Sequence, residues 1–335
     1  MRHALERVIQ QGKGGLVVLG DNQKVQAASS GGFVIENASF TPARLAELAK
    51  MDGGIVLDDD WDRILAANVH FVPDGSIPTD ETGARHRTAE RMAKETGTPV
   101  VAVSEGRRVA TLFYGDQKIE LATPTEVAAH VNQELQSLER LRARLDEAES
   151  RLSRLEVIGL VNYRAVVTLI QRAELAERLG SVIRDRTRTL GDEGRIASLQ
   201  LNDLLSGVEQ TKELVLTDYI KPLRSGSVDR ALQRLAGLAP NDLEDPLRVA
   251  KELGFSELDE PAEARGHRLL SQAGRLRDSV RDDIVRHFGS VERLLKASES
   301  QLIDVEGVGE TRAKQLISFF RRLEAAAHEW EPVLD

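Results

Sequence analysis

The sequence predicts an α/β domain with a mixed central sheet flanked by helices, followed by an all-α spine and a C-terminal domain of short helices closed by a glycine hairpin. Three observations predict it. Over residues 1–124, short apolar runs bounded by Gly and Asp alternate with amphipathic stretches. A leucine seam at heptad spacing follows over 125–224. From 225 to 335 the helical segments are short and broken by Gly and Pro. The length, 335 residues, suits two or three domains, and 4% aromatic residues is low for a chain built mainly of sheet.

The elements can be justified in order. Gly15–Leu19, Gly54–Leu57, Pro99–Ser104 and Val109–Tyr114 are short apolar runs that read as buried strands. Pro42–Met51, with Leu45 and Leu48, reads as a helix, as does Arg85–Thr96, which Gly97 should end as a left-handed cap. Leu138, Leu141, Leu145, Ala148, Leu152 and Leu155 keep a 3-then-4 spacing among Arg and Glu, up to Gly159. A second helix is expected over 161–190, a turn at Gly191–Gly194, and a third helix ending before Pro222. Such a bundle spaces domains or oligomerises. Shorter helices are expected over 228–238, 246–254 and from Leu269 onward, then one helical stretch over Asp282–Leu295.

Composition excludes several classes. There is no cysteine, so disulfides, thiolate zinc sites and a cysteine nucleophile are ruled out, which fits a cytoplasmic chain. No apolar run approaches the roughly 20 residues of a membrane span. Met1-Arg2-His3-Ala4 leads into an amphipathic segment and not the apolar core of a signal peptide. The net charge of −9 argues on bulk terms against a nucleic-acid partner. Its distribution argues the other way. Between residues 265 and 322 there are twelve basic residues, Arg275 among them, and eight acidic ones, a local +4.

Two clusters in the first domain carry chemistry. Met51-Asp52-Gly53-Gly54 places an acid and two bare backbone positions at a strand edge, where a divalent metal and a ligand can approach. An ordinary Asp-Gly turn has the same letters. Thr82-Gly83-Ala84-Arg85-His86-Arg87-Thr88 sets basic side chains and hydroxyls at a helix start, which suits a polyphosphate; a solvated basic turn is its plain alternative. Three consecutive residues fan over about 200° of a helix, so they cannot share one face. Near the other end, Gly307, Val308 and Gly309 resemble the hairpin of a helix-hairpin-helix motif. Arg312 and Lys314 lie on the next turn, where they can hold backbone phosphates without reading bases. Some such hairpins are only structural turns. Gly12-Lys13-Gly14-Gly15 lacks phosphate-loop spacing, no H-E-x-x-H pattern occurs, and His70 and His130 are isolated. Trp61 and Asp58-Asp59-Asp60 read as a solvated hairpin tip.

Asp52-Gly53-Gly54, the run from Ala67 to Asp74, Ile77-Pro78-Thr79, and Gly83-Ala84-Arg85-His86-Arg87 with Ala89-Glu90-Arg91 resemble the diadenylate cyclase family. The spine and terminal hairpin extend the resemblance along the whole chain, to the DNA-scanning branch of that family. It implies a nucleotidyltransferase that condenses two ATP into cyclic di-AMP with release of two pyrophosphates, using Mg²⁺ or Mn²⁺. It further implies a homo-octamer, inhibition by branched DNA such as Holliday junctions, a role in DNA-integrity signalling, and a cytoplasmic, nucleoid-associated protein. By motif position, Asp52 would hold the metal and help activate the attacking hydroxyl. Arg85, His86 and Arg87 would hold the triphosphate. Gly53, Gly54, Phe71, Ala84, Thr88 and Ser104 would complete the ATP site, and Gly307, Val308, Gly309, Arg312 and Lys314 the DNA site.

The family motif commonly runs Asp-Gly-Ala, where this chain has Gly54, and commonly places Thr where it has Ala84. The first change should spare the acid but loosen the backbone. The second removes one hydrogen bond, about 0.5–1.5 kcal/mol. These changes frame an alternative, a DNA-junction sensor that binds ATP but turns it over weakly; a repair accessory using only the hairpin is a third reading. The chain also starts late beside family members, which implies a shortened N-terminal helix.

Overall fold

The structure, a computed structural model, describes residues 1–274 and 276–328, with backbone alone at 36 and 37; Arg275 of the basic stretch lies outside the described residues. The chain divides into two compact units, 1–130 and 131–335.

The first unit is built on one mixed sheet. Its strands are β1 (Gly15–Leu19), β2 (Ser29–Ser30), β3 (Phe33–Ser39), β4 (Gly54–Leu57), β5 (Arg63–Phe71), β6 (Val100–Val103), β7 (Ala110–Tyr114) and β8 (Gln117–Leu121). They lie in the order β2-β5-β4-β1-β6-β7-β8, with β3 also paired to β5. β1 and β4 run parallel, and the other pairs are antiparallel. The helices are α1 (Arg2–Gln10), α2 (Gln23–Ala27), α3 (Pro42–Leu48) and α4 (Ala84–Thr96).

The three central strands are buried at every residue, which is why they read as unbroken apolar runs. Alternate side chains serve opposite cores. Val17, Leu19, Ile55, Leu57, Val101 and Val103 join Leu5 and Val8 of α1 and Leu45 of α3. Leu16, Val18, Val56, Val100 and Ala102 join Val25 of α2 and Ala89 and Met92 of α4. Gly97 closes α4 at φ 68°. The sequence reading passed over β2, β3, β5 and β8. Strand β8 is polar and largely exposed, and β5 alternates poorly because bulges interrupt its pairing with β4. Between β4 and β5, Asp58 accepts the backbone amides of Asp62 and Arg63 at 2.8 and 2.9 Å, so the first acid of the triplet organises the turn around Trp61.

α5 (Pro124–Ile158) begins in the first unit and continues into the second. Leu138, Leu145, Ala148 and Leu152 of the heptad seam are buried. α6 (Tyr163–Arg188) follows, then a 3-10 turn at Gly191–Gly194. The expected third helix is two, α7 (Arg195–Leu204) and α8 (Val208–Tyr219), because Gly207 takes φ 76° between them. Short helices then succeed one another: α9 (Ser227–Ala236), α10 (Pro240–Glu244), α11 (Pro246–Leu253), α12 (His267–Ser271), α13 (Asp278–Phe288), α14 (Val291–Leu295), α15 (Glu299–Ile303) and α16 (Glu310–His328). The single stretch expected over 282–295 is likewise broken, at Gly289 with φ 77°, and Ser290 caps the next helix.

A buried polar network joins α5, α8 and α12. Tyr219 donates to Glu156 at 2.7 Å, and Arg268 donates to the other Glu156 oxygen at 2.5 Å and to Ser153 at 3.0 Å. Asp218 accepts the amides of Gly266, His267 and Arg268 at 2.8–2.9 Å, capping α12. Removing one partner of a buried pair leaves an uncompensated charge. Arg268→Met should therefore cost about 3–5 kcal/mol in chemical denaturation. A midpoint equal to the parent's would show that Glu156 does not need the guanidinium.

Candidate nucleotide site and hairpin

The acid, the glycines and the basic helix start converge on one cavity of about 530 Å³ in the first unit. Asp52, Gly53, Gly54, Phe71, Ala84, Arg85, His86, Thr88 and Ser104 all line it. Leu16, Val69 and Val103 give it an apolar wall; Gly83, Glu105 and Gly106 complete the rim, with His70, which its sequence neighbours left isolated.

The acid is positioned by backbone crowding. Asn68 of β5 sits at φ 54°, a left-handed conformation rare for a residue with a side chain. It presses β5 against the turn before β4, where a Cβ on Gly53 would lie 2.5 Å from the Asn68 Cα. Only glycine fits there, and Asp52 immediately precedes it.

The basic triplet separates as helical fanning requires. Arg85 reaches into the cavity and pairs with Asp52 at 2.5 Å. That pair is open to solvent, with the Asp52 side chain 90% exposed, so its own worth is about 0–1 kcal/mol and a phosphate can compete for the guanidinium. His86 turns inward, 3.5 Å from the Thr111 hydroxyl and edge-on to Phe113. Burial holds its imidazole below the ordinary histidine value, so it meets a ligand uncharged at neutral pH. Arg87 does not line the cavity; its guanidinium donates to the carbonyls of Glu81 and Thr82 at 3.4 Å. The helix itself adds field. α4 begins at Ala84 behind Gly83, whose lack of a side chain leaves the first-turn amides without a side-chain cap.

Gly14, in a stretch without phosphate-loop spacing, lies against the Arg85 side chain. A Cβ there would lie 2.5 Å from Nη1 and 2.8 Å from Cζ of Arg85, so the guanidinium rests on bare backbone. Contact of this kind has no local sequence signal. The 76–79 segment serves as a tether. Arg91 and Lys94 of α4 donate to the carbonyls of Ile77 and Pro78 at 2.9 and 3.1 Å, and Thr79 donates to Glu90 at 2.5 Å.

Among the described residues no group of three or more His, Asp or Glu side chains gathers to hold a metal unaided. Asp52, an open carboxylate with Glu105 on the same rim, would be the residue to hold a divalent cation that could supply charge neutralisation there.

In the second unit the expected hairpin joins α15 to α16. Gly307 takes φ 82°, and a Cβ there would lie 2.9 Å from Val280. Val308 is buried and its amide donates to the Val305 carbonyl at 3.1 Å, closing the turn. Arg312 donates to the Gly307 carbonyl, bracing the hairpin from the next helix. Arg312, Lys314, Gln315, Ser318 and Arg322 line a shallow cationic groove beside it. Among the described residues no helix is long and apolar enough to cross a membrane.

Comparison with known proteins finds a family match for each part of the chain. Residues 2–118 match the model described as DisA bacterial checkpoint controller nucleotide-binding, and 121–261 the DisA bacterial checkpoint controller linker region. Residues 280–327 match the helix-hairpin-helix motif. The DNA integrity scanning protein DisA of Kineococcus radiotolerans is 43% identical over 96% of this chain and 91% of its own length. That of Streptomyces avermitilis is also 43% identical, over 96% of this chain and 88% of its own. The one from Acidothermus cellulolyticus is 42% identical over 96% and 89%. A nucleotide cavity ahead of a helical linker and a phosphate-type hairpin, matched along nearly the whole length, places this chain in the DisA family of diadenylate cyclases.

Proposed function

We propose that this chain condenses two ATP into cyclic di-AMP and two pyrophosphates, with Asp52 and Arg85 at the reacting phosphate and branched DNA as a negative signal. The observation that carries the reading is the Asp52–Arg85 pair at the mouth of a cavity that also holds the start of α4. In each half-reaction the 3′-hydroxyl of one ATP gives up its proton to solvent as its oxygen bonds to the α-phosphorus of the other, the bond from that phosphorus to its bridging oxygen breaks, and pyrophosphate leaves. A cavity of about 530 Å³ has room for a nucleotide, and in this reading the second ATP sits in a facing copy within a homo-octamer.

Each side chain has a distinct task. Arg85 exchanges its carboxylate for phosphate oxygens and neutralises their charge. The α4 amides support the same oxygens. His86, uncharged, and the Thr88 and Ser104 hydroxyls orient the ligand by hydrogen bonds; Arg87 acts from outside, holding the 81–82 turn. Asp52 would hold Mg²⁺ or Mn²⁺, which supplies charge neutralisation and lowers the pKa of a coordinated hydroxyl. Phosphoryl chemistry of this type rests on placement and electrostatics, which these groups provide.

For the DNA module, the hairpin and the Arg312–Lys314 groove support backbone binding, and a branched duplex presents several such backbones together. We assign residues 1–124 to the cyclase, 125–224 to the spine and 225–335 to the DNA module, in a nucleoid-associated protein.

Three outcomes test the reading. Asp52→Asn should abolish cyclic di-AMP formation from ATP with Mg²⁺ or Mn²⁺, followed by mass, while leaving the melting temperature unchanged. Parental yield from that variant would sink the assignment. Gly14→Val should push Arg85 off its backbone seat and raise the ATP KM by about tenfold, the loss of one charge-assisted contact. Lys314→Ala should weaken junction binding at every sequence and make the salt dependence shallower by about one unit of slope, with basal synthesis unchanged. An unaltered slope would place the phosphate contacts elsewhere.

A further inference from the structure

The Gly54 position appears in sequence as a lost methyl, yet the space is filled. A Cβ on Gly54 would lie 1.9 Å from one edge carbon of the Phe71 ring and 2.6 and 2.8 Å from its neighbours. A real Cβ essentially never comes within 3.0 Å of such a neighbouring heavy atom, so the ring in this place and any side chain at 54 exclude each other. Phe71 is only 6% exposed. It belongs to the core cluster with Met92 and Phe113, both fully buried, and it also lines the nucleotide cavity.

We infer that Gly54 and Phe71 form one size-complementary unit that sets the floor of the nucleotide cavity: the bare position at 54 admits the ring, and the ring holds the Asp52-Gly53 turn in place of a methyl. Three consequences follow from the packing. The backbone beside Asp52 is braced by the ring, so the glycine does not loosen the acid as its sequence suggests. A methyl at 54 drives the ring outward, because Met92 and Phe113 occupy the core side and the cavity is the open direction. Shrinking the ring alone leaves a void beneath the ligand. Phe71 is therefore a positioning residue whose size must match position 54.

This inference rests on the proposed nucleotide site for its catalytic consequence, but the pair itself can be tested without ligand. The experiment is a cycle of Gly54→Ala, Phe71→Leu and the double variant in the full-length protein. Thermal unfolding without ligand, binding of a non-hydrolysable ATP analogue, and steady-state synthesis are read for each. Gly54→Ala should lower the melting temperature and weaken the analogue by about tenfold, with KM rising more than kcat falls. The double variant should recover most of both losses, because leucine vacates the space the methyl enters. If Gly54→Ala fails to fold, recovery of fold and binding in the double variant supports the pair, and its absence overturns it. Additive melting shifts, or a double variant no better than Gly54→Ala, overturn the proposal. A parent protein that binds no ATP analogue counts against the nucleotide site alone, since the ligand-free cycle still measures the coupling.

Discussion

The close approach of β5 to the turn before β4 is the constraint on which the first unit depends. Asn68 takes a left-handed backbone conformation there, and its main chain lies where a Gly53 side chain would be. On the other side of the same bulge, a Cβ on Gly32 would lie 2.7 Å from the Ala67 carbonyl oxygen. Two glycines flank one strained residue, and the turn between them has little freedom to shift. Asp52 is thereby held at the rim of the cavity by backbone packing, while its own carboxylate stays in solvent. A fixed position lowers the entropic cost of meeting a ligand, and exposure leaves the carboxylate free to exchange partners.

The electrostatics of the cavity follow the same division. Arg85, the cationic side chain in the cavity, is held by a weak, exposed ion pair and lies against the bare backbone of Gly14. Its neighbour His86 is buried and kept uncharged, so the cavity gathers one mobile positive charge and a helix terminus instead of a dense cationic cluster. In the second unit, strong interactions are structural. Glu156, Arg268, Tyr219 and Asp218 bury charge and hydroxyl among three helices, where removal of any partner is costly.

Much was legible in particular residues. The fully buried strands at 15–19, 54–57 and 100–103 announced themselves because burial on both faces demands apolar side chains throughout. Gly97 ended α4 and the heptad leucines marked α5 for similarly local reasons. Strands β3, β5 and β8 were not legible, since edge exposure and bulges erase the period of two. The third helix expected before Pro222 and the stretch expected over 282–295 are broken by left-handed glycines, Gly207 and Gly289. Bulk charge was a poor guide to partners, because a local excess of positive charge near the hairpin sits within a chain of net −9.

Sequence alone determined the chemistry available: one acid beside two glycines, a basic triplet at a helix start, and a glycine hairpin followed by Arg312 and Lys314. Those signals are local, because a turn, a helix cap or a charge cluster is written in consecutive residues. Tertiary structure decided how they are used. It turned Arg85 into the cavity, His86 into the core and Arg87 outward, brought Gly14 beneath the guanidinium, and filled the space at Gly54 with Phe71. The contacts of Phe71 with Gly54 and of Gly14 with Arg85 join residues 17 and 71 positions apart, and no periodicity or composition encodes a contact whose partners meet only when the sheet has closed.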